Sequence, residues 1–249
     1  MSALPWAQPE WLLGFAMVMT RLVAFLAVLP LFPGSAFGLR MRAIIALWLS
    51  WLFQLASPIG VVEVTLAWSV YELTASACIG LVLGFAVRLA LDALHFGGEL
   101  LGINIGLGLA GVVDPNTGTR ENPVSRLLVF GGAVVILSMD LHLGILELLR
   151  QSFEWKPHVD LWMFGPRAGS RMFDEGVRFG LPVVGGATLL YVLFGVLARV
   201  APQVQIFQIA YSVTILGGLL ILAKEVNQLP ALVESFLQSH LDALARLVR

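Results

Sequence analysis

The chain has 249 residues, of which 58% are apolar and 12% are charged, about half the charged share of a soluble domain. Fifteen basic and 16 acidic residues nearly cancel, which excludes the basic surface that nucleic-acid binding requires. The composition also excludes a disordered chain and an ordinary soluble domain, so we expect an integral membrane protein.

The first half of the chain is predicted to form long apolar helices separated by turns. The initial residues lack a basic cluster, so we expect no cleavable signal peptide and a first apolar segment that stays in the protein. Apolar segments cover residues 11–32, 43–57 and 64–91, with Pro- and Gly-rich breaks between the first two and after the second. A glycine-rich stretch follows at 97–111, and the polar stretch 112–126 is predicted to be a loop.

The second half is predicted to add three apolar helices and an amphipathic tail. Residues 127–153 are expected to form one helix with Asp140 inside it, and residues 176–199 and 203–224 two more. In the tail, from residue 229 onward, apolar residues recur at helical spacing, which indicates a helix that lies on a membrane or a partner. We see no domain boundary, so the predicted fold is a single all-α, polytopic, membrane-inserted protein.

Charged side chains lie inside or beside the apolar segments, where an unpaired charge costs about 2.5–3.5 kcal/mol in lipid. We therefore expect these charges to pair, to face water or to lie outside the lipid. Four polar residues, Arg88, Asp92, His95 and Glu99, are spaced by 4, 3 and 4 residues, which places them on one helix face. The charges concerned are Arg21, Glu72, Arg88, Asp92, Glu99 and Asp140.

A second polar stripe is predicted at Asp140, Glu147, Gln151 and Glu154, at intervals of 7, 4 and 3 residues. Polar stripes on apolar helices usually face a bundle interior, a pore or another subunit. Three interpretations stay open: internal salt bridges that orient helices, subunit contacts or a pore lining, and a proton or ion pathway.

Small residues recur at four-residue intervals at Gly98, Gly102, Gly106 and Ala110, which predicts close packing between helix backbones. The segment from Gly106 to Gly111 also matches the G-x-G-x-x-G dinucleotide fingerprint. We reject that interpretation because the fingerprint needs a preceding strand and a following helix, whereas Asp-Pro follows here at once. The glycines, including Gly108, are better explained by helix packing and by a turn into the polar loop.

No catalytic, cofactor or metal site is predicted. The four histidines are scattered and form no pair at the spacing of metal ligands. Ser35 lies in a glycine-containing turn that does not match a nucleophile elbow. We therefore expect a non-enzymatic protein without cofactors.

Short motifs follow one order along the chain, at residues 30–32 and 40–42, Glu72, residues 79–85, 98–108, 114–115, 140–143, 152–153, 181–183 and 199–207. This set resembles the FliR/SctT family of type III protein-export gates, within it the flagellar branch. Each motif is weak alone, and their order over residues 21–222 makes the match specific. The chain departs from the family at Asn104, where Gln is more common, at Leu141 (Gly), at Gln205 (Asn) and at Tyr191, where Asn often stands.

The resemblance implies a structural, pore-forming subunit that takes no cofactor and passes unfolded flagellar subunits. It implies long kinked helical hairpins that assemble into a helical export gate. Residues of about 1–175 would then form a FliP-like part, and residues of about 176–249 would form a FliQ-like hairpin with the amphipathic tail helix. The partners implied are FliP-like and FliQ-like subunits, with this chain in one copy, an FlhB-like protein, substrates in transit and membrane lipid. The implied location is the bacterial inner membrane, at the flagellar basal body.

The family's loop after the glycine stretch lies toward the pore, which implies a pore and gate loop in this chain. Subunit contacts would then satisfy the helix charges, with Arg199 added to the six named above. The implied gate loop consists of Leu109, Ala110, Gly111, Val112, Val113, Asp114, Pro115, Asn116, Thr117 and Gly118.

Three other functions are weighed against this one. The first is the injectisome export gate of the same family. The second is an ion-coupled transporter with Glu99, Asp140 and Arg88 as a relay, which broken helices at glycine-rich stretches would fit. The third is a membrane-embedded enzyme, which the missing site motif disfavours.

Overall fold

The chain is described by a computed structural model over residues 9–29, 39–59, 65–106, 112–113, 120–154, 164–200 and 206–248. Helices account for nearly all of these residues, and the described part holds one short pair of strands, β1 and β2. The elements are α1 (Pro9–Val28), α2 (Leu39–Ala56), α3 (Leu66–Ile105), β1 (Val112–Val113), β2 (Arg120–Glu121), α4 (Pro123–Ser138), α5 (Leu141–Gln151), α6 (Phe164–Val200), α7 (Ile206–Glu225) and α8 (Leu229–Val248).

Four described stretches are long and apolar enough to cross a membrane, and a fifth arises if α4 and α5 count as one broken span. The four are Pro9–Val28, Leu66–Ile105, Ala168–Val200 and Ile209–His240. A hydrocarbon core about 30 Å thick needs about 20 helical residues, so each of them is long enough. The prediction of an all-α, polytopic membrane protein is confirmed.

The described helices group into two compact units, and the division falls inside α3, between Arg88 and Leu89. The first unit contains α1, α2 and the first part of α3. Glycines let these helices approach, because a side chain at Gly84 of α3 would lie 2.6 Å from the carbonyl oxygen of Phe25 in α1. Leu22 on the same face of α1 is fully buried.

The second unit contains the rest of α3 together with α4, most of α6, α7 and the start of α8. Here α3 and α6 meet at two glycines, since a Cβ at Gly176 would lie 2.8 Å from the carbonyl oxygen of Ala93 and one at Gly97 would lie 3.0 Å from that of Gly176. The core of this unit includes Leu94, Leu101 and Ile105, each with no exposed surface.

Helix boundaries differ from the sequence prediction in several places. Residues 123–126 of the predicted loop belong to α4, because Asn122 caps the helix and Pro123 opens it. The apolar segment 64–91 and most of the glycine-rich stretch form one 40-residue helix, α3. Helix α6 begins at Phe164, so it extends twelve residues before the predicted start at 176 and continues through Pro182. The single helix predicted over 127–153 is wrong, because the chain breaks into α4 and α5 at Met139 and Asp140.

The break has a local cause at Asp140, whose φ of 56° lies in the left-handed region. Aspartate adopts this conformation more readily than most residues, since its short polar side chain hydrogen-bonds locally. The carboxylate therefore lies outside both helices and is exposed. The second polar stripe, which assumed one helix through Asp140 and Glu147, is wrong for the same reason.

Candidate functional site

The glycine-rich face of α3 packs directly on the beginning of α4. A Cβ atom at Gly98 would lie 2.7 Å from the Cβ of Ser125, and one at Gly102 would overlap the side-chain amide of Asn122. Such distances are far inside van der Waals contact, so both positions require glycine for this helix pair to form. The close packing predicted from the four-residue spacing of Gly98 and Gly102 is therefore made with Ser125 and Asn122 of the neighbouring chain segment.

Asn122 connects the two helices through both ends of its amide. Its Nδ2 donates to the carbonyl oxygen of Gly98 at 3.2 Å, and its Oδ1 accepts from the backbone N–H of Val124 at 3.0 Å. The second bond makes Asn122 the N-cap of α4, and Pro123 occupies the first helical position. With 4% exposure, this side chain is enclosed by the glycine face that it binds.

Helix α3 ends at Ile105, and the chain turns away at Gly106. Gly106 has a φ of 86°, and its N–H donates to the carbonyl oxygen of Ile103 at 3.2 Å. Two tyrosine hydroxyls bind the same helix end: Tyr191 of α6 donates to the carbonyl oxygen of Asn104 at 2.7 Å, and Tyr211 of α7 donates to that of Gly106 at 3.2 Å. Positions 104 and 191, at which the chain departs from the resembled family, are therefore joined by a hydrogen bond from the Tyr191 hydroxyl to the backbone of Asn104.

The polar stretch after Gly106 is described only in part. Val112 and Val113 form β1 and pair antiparallel with β2, in the register Val112 with Glu121 and Val113 with Arg120. Two residues of the implied gate loop are thus placed by their backbone, and the loop returns to α4 through Asn122. Its other residues, Leu109, Ala110, Gly111, Asp114, Pro115, Asn116, Thr117 and Gly118, lie outside the described part of the chain, as does Gly108.

Arg21 is the one charge of the seven that is buried in the chain, with 3% exposure. Its Nη1 donates to Ser152 Oγ at 2.8 Å and its Nη2 donates to Ser76 Oγ at 3.2 Å. The guanidinium also lies 3.9 Å from the centre of the Phe153 ring, which favours a cation. Neutral hydroxyls and an aromatic face therefore hold this charge within the first unit.

The other six charges retain exposed surface. Arg88, Asp140 and Arg199 are exposed, and Glu72, Asp92 and Glu99 are partly exposed. On the same stripe of α3, His95 Nδ1 lies 3.1 Å from Ser125 Oγ. Arg88 and Asp92 also interact with other residues, so their exposure alone does not choose among the interpretations left open above.

The described acidic and basic residues include two ion pairs between neighbours on one helix. Arg150 binds Glu147 at 2.7 Å, and Arg178 lies 3.8 Å from Glu175. Both pairs are three residues apart and have exposed members, so they contribute little to stability. Within the described residues, no group of three or more His, Cys, Asp or Glu side chains could hold a metal ion.

Two residues of this site were missed by the sequence interpretation. Asn122 had a readable signal, since an Asn before a Pro that opens an apolar run is typical of a helix N-terminus. The role of Tyr211 had no such signal, because its partner Gly106 lies 105 residues away in the sequence.

These features together define a multi-pass, all-α membrane protein in which glycines let α3 pack closely on α4. A family model described as bacterial export proteins, family 1, matches residues 12–240. The chain therefore belongs to the bacterial export proteins of family 1, and the resemblance to the export-gate family is confirmed.

Curated relatives match nearly the whole chain. A protein of Pectobacterium carotovorum subsp. carotovorum is 28% identical over 248 residues, which cover 96% of this chain and 94% of the relative. One of Escherichia coli strain K12 is 23% identical with the same coverage, and one of Aquifex aeolicus is 26% identical over 86% of this chain and 85% of the relative. All three bear the name flagellar biosynthetic protein FliR.

Proposed function

We propose that this chain is a structural, pore-forming subunit of the flagellar type III secretion export gate, through which unfolded flagellar subunits leave the cell. The observation that carries the proposal is the family match over residues 12–240, together with flagellar names on relatives that match the chain almost end to end. The same names favour the flagellar system over the injectisome. The proposed role is non-enzymatic and needs no cofactor.

The proposed setting is the bacterial inner membrane at the flagellar basal body. There the chain is present in one copy among FliP-like and FliQ-like subunits, and an FlhB-like protein joins the assembly. Three features support assembly with other subunits. Apolar side chains are exposed along α6 and α7, and polar groups on α3 are exposed. In the part of α6 that is apolar and long enough to cross a membrane, only 11% of the residues are buried. The FliP-like part is proposed for residues of about 1–175 and the FliQ-like part for about 176–249. The proposed boundary falls inside α6, where Glu175 and Gly176 are consecutive residues.

The gate is proposed to be the loop at residues 109–118. Two described points flank it, the end of α3 at Gly106 and the capping residue Asn122, and both are held by hydrogen bonds. A loop fixed at both ends can occupy a narrow pore while the residues between them change position. Glycines within it and Asp114-Pro115 supply the turn chemistry.

Shortening this loop is expected to raise the leakage of small ions through the assembled gate. The sharpest change replaces residues 114–119 by Asn-Gly, because a two-residue turn of that sequence joins antiparallel partners such as Val113 and Arg120. Ion conductance is measured in membranes that contain the chain expressed with its neighbouring membrane genes. We expect higher conductance at unchanged levels of assembled complex.

The matched control replaces the same six residues by six Gly and Ser residues, which keeps the loop length and removes its side chains. We expect this control to leak less than the shortened variant, since bulk stays in the pore. Wild-type conductance in an assembled complex with the shortened loop would contradict the gate role of residues 109–118.

A further inference from the structure

Helices α1 and α2 pair as an antiparallel hairpin within the first unit. At one end, the rings of Trp11 and Trp51 lie 5.4 Å apart between their centres. At the other end, Arg42 Nη1 donates to the carbonyl oxygen of Ala27 at 3.2 Å. From Trp11 to Ala27, α1 rises by about 24 Å, and the arginine side chain extends further. The hairpin is therefore about as long as the hydrocarbon core of a membrane is thick, which is about 30 Å.

The first end of the hairpin carries a cluster of aromatic rings. Trp11 stacks on Phe15 at 5.6 Å, and the Trp51 ring stands edge-on to both. Trp48, one turn before Trp51, is 64% exposed. Among the described residues, the indole N–H groups of Trp48 and Trp51 have no acceptor. Such exposed indoles are typical of the membrane–water interface, where the ring lies against apolar groups and the N–H reaches polar headgroups.

The second end of the hairpin is positively charged. Residues 11–59 contain three arginines and no acidic residue. Arg21 is buried, whereas Arg40 at the start of α2 is exposed and Arg42 is partly exposed. Arginine stems lie along apolar surface while the guanidinium reaches polar surroundings. This end is therefore complementary in charge to anionic phospholipid headgroups.

The exposed surface of α2 between these ends differs from a surface that packs on another helix. Helix contacts inside membranes are enriched in small residues, because these let two backbones approach. Helix α6 has such positions, since Gly185 and Gly195 are exposed and have no atom within 4 Å of an added Cβ. Helix α2 has no glycine, and its exposed surface consists mainly of large side chains, which fit fluid acyl chains better than a second helix. They are Ile44, Leu47, Trp48, Trp51, Leu52 and Leu55.

We propose that the α1–α2 hairpin is the surface by which this chain contacts the phospholipid bilayer. The aromatic end lies at the headgroups of one leaflet, and the exposed leucines of α2 contact acyl chains. Arg40 at the basic end binds anionic phosphates of the opposite leaflet. This inference rests on the proposed membrane setting and adds which surface faces lipid instead of a neighbouring subunit.

The test places a photo-crosslinking diazirine residue at single exposed positions of the assembled complex. The complex is held in nanodiscs of phosphatidylethanolamine and phosphatidylglycerol, and the products are identified by mass. Leu47 and Leu55 of α2 are 47% and 60% exposed, and Leu220 of α7, at 66%, is the matched control. We expect lipid adducts at both α2 positions and adducts with other subunits at Leu220. Attachment should lie along the acyl chain for Leu47 and near the glycerol for Leu55, which follows Trp51 by one turn.

A second experiment tests the charge complementarity at the basic end. With the diazirine residue at Ile44, one turn after Arg40, the ratio of phosphatidylglycerol to phosphatidylethanolamine adducts is measured. Arg40→Gln is expected to lower this ratio on the order of fivefold, the effect of one basic residue near an anionic membrane surface. Arg178→Gln is the control, because Arg178 is exposed but lies 3.8 Å from Glu175, and it should leave the ratio unchanged.

Three results would overturn the lipid contact. Adducts with other subunits as the main product at Leu47 and Leu55 would reject it, while subunit adducts at Leu220 would leave the proposed assembly standing. Equal attachment depth at Leu47 and Leu55 would reject the position of the aromatic end, and an unchanged lipid ratio in Arg40→Gln would reject the basic end. Lipid adducts at Leu220 as well as at Leu47 would support the lipid contact and contradict the proposed assembly through α7.

Discussion

Gly102→Ala is expected to lower the stability of the protein by about 2–5 kcal/mol, although it adds a single methyl group. The added Cβ would overlap the amide of Asn122, which has to leave its place. That movement removes the bond to the carbonyl oxygen of Gly98 and the cap on Val124. The expected readout is a lower apparent melting temperature of the purified complex and less protein in the membrane.

A double variant separates the clash from a general effect of alanine. In Gly102→Ala with Asn122→Ala, the second change removes the group that the first displaces. The double variant should therefore lose clearly less stability than the sum of the losses of the two single variants. Gly144→Ala is the matched control, because Gly144 of α5 has no neighbouring atom within 4 Å of an added Cβ. A helical Gly with open space around it gains about 0.5–1 kcal/mol on change to Ala. Equal effects at positions 102 and 144 would contradict the packing described for α3 and α4.

Arg21→Ala is expected to cost about 2–4 kcal/mol, because it leaves a cavity among three partners and removes both bonds to serine hydroxyls. Arg21 is buried at 3% exposure, so water cannot easily replace the lost donors. Ser76 then loses its described donor, while Ser152 keeps its own bond to the carbonyl oxygen of Leu149 at 2.5 Å. Protein level in the membrane and apparent melting temperature are the measurements.

Two further variants identify which property of Arg21 matters. Arg21→Met fills most of the space and packs its sulfur against Phe153, so it should be milder than Arg21→Ala. Arg178→Ala removes a guanidinium that is 76% exposed and should change stability by less than about 0.5 kcal/mol. If Arg21→Met were as damaging as Arg21→Ala, the charge itself and not the packing would be what the first unit requires.

The helical fold was predictable because the apolar residues form long runs, and only helices or closed barrels satisfy the backbone in lipid. The break at Asp140 was not predictable from hydropathy, since residues on both sides are apolar and the cause is one backbone angle. The continuity of α3 was missed for the opposite reason. Its glycines suggest flexibility in an isolated chain, and packing against α4, α6 and α7 holds them in one helix.

The candidate site was predictable where its signal is local. Gly98 and Gly102 stand out by their four-residue spacing, and the structure supplies Ser125 and Asn122 as neighbours. Contacts between distant residues carry no such signal: Arg21 binds Ser152 across 131 positions, and no spacing rule connects them. The sequence predicts that a charge inside an apolar helix has partners. Only the fold shows that two partners of Arg21 are serines.

The most direct test of the export-gate role is native mass spectrometry of the tagged chain, expressed with its neighbouring membrane genes and purified in mild detergent. The account predicts one copy of this chain in a hetero-oligomer with several smaller helical membrane subunits, since α6 and α7 expose apolar side chains that other subunits would cover. A stable homodimer of this chain without other subunits would contradict it and would favour the ion-coupled transporter.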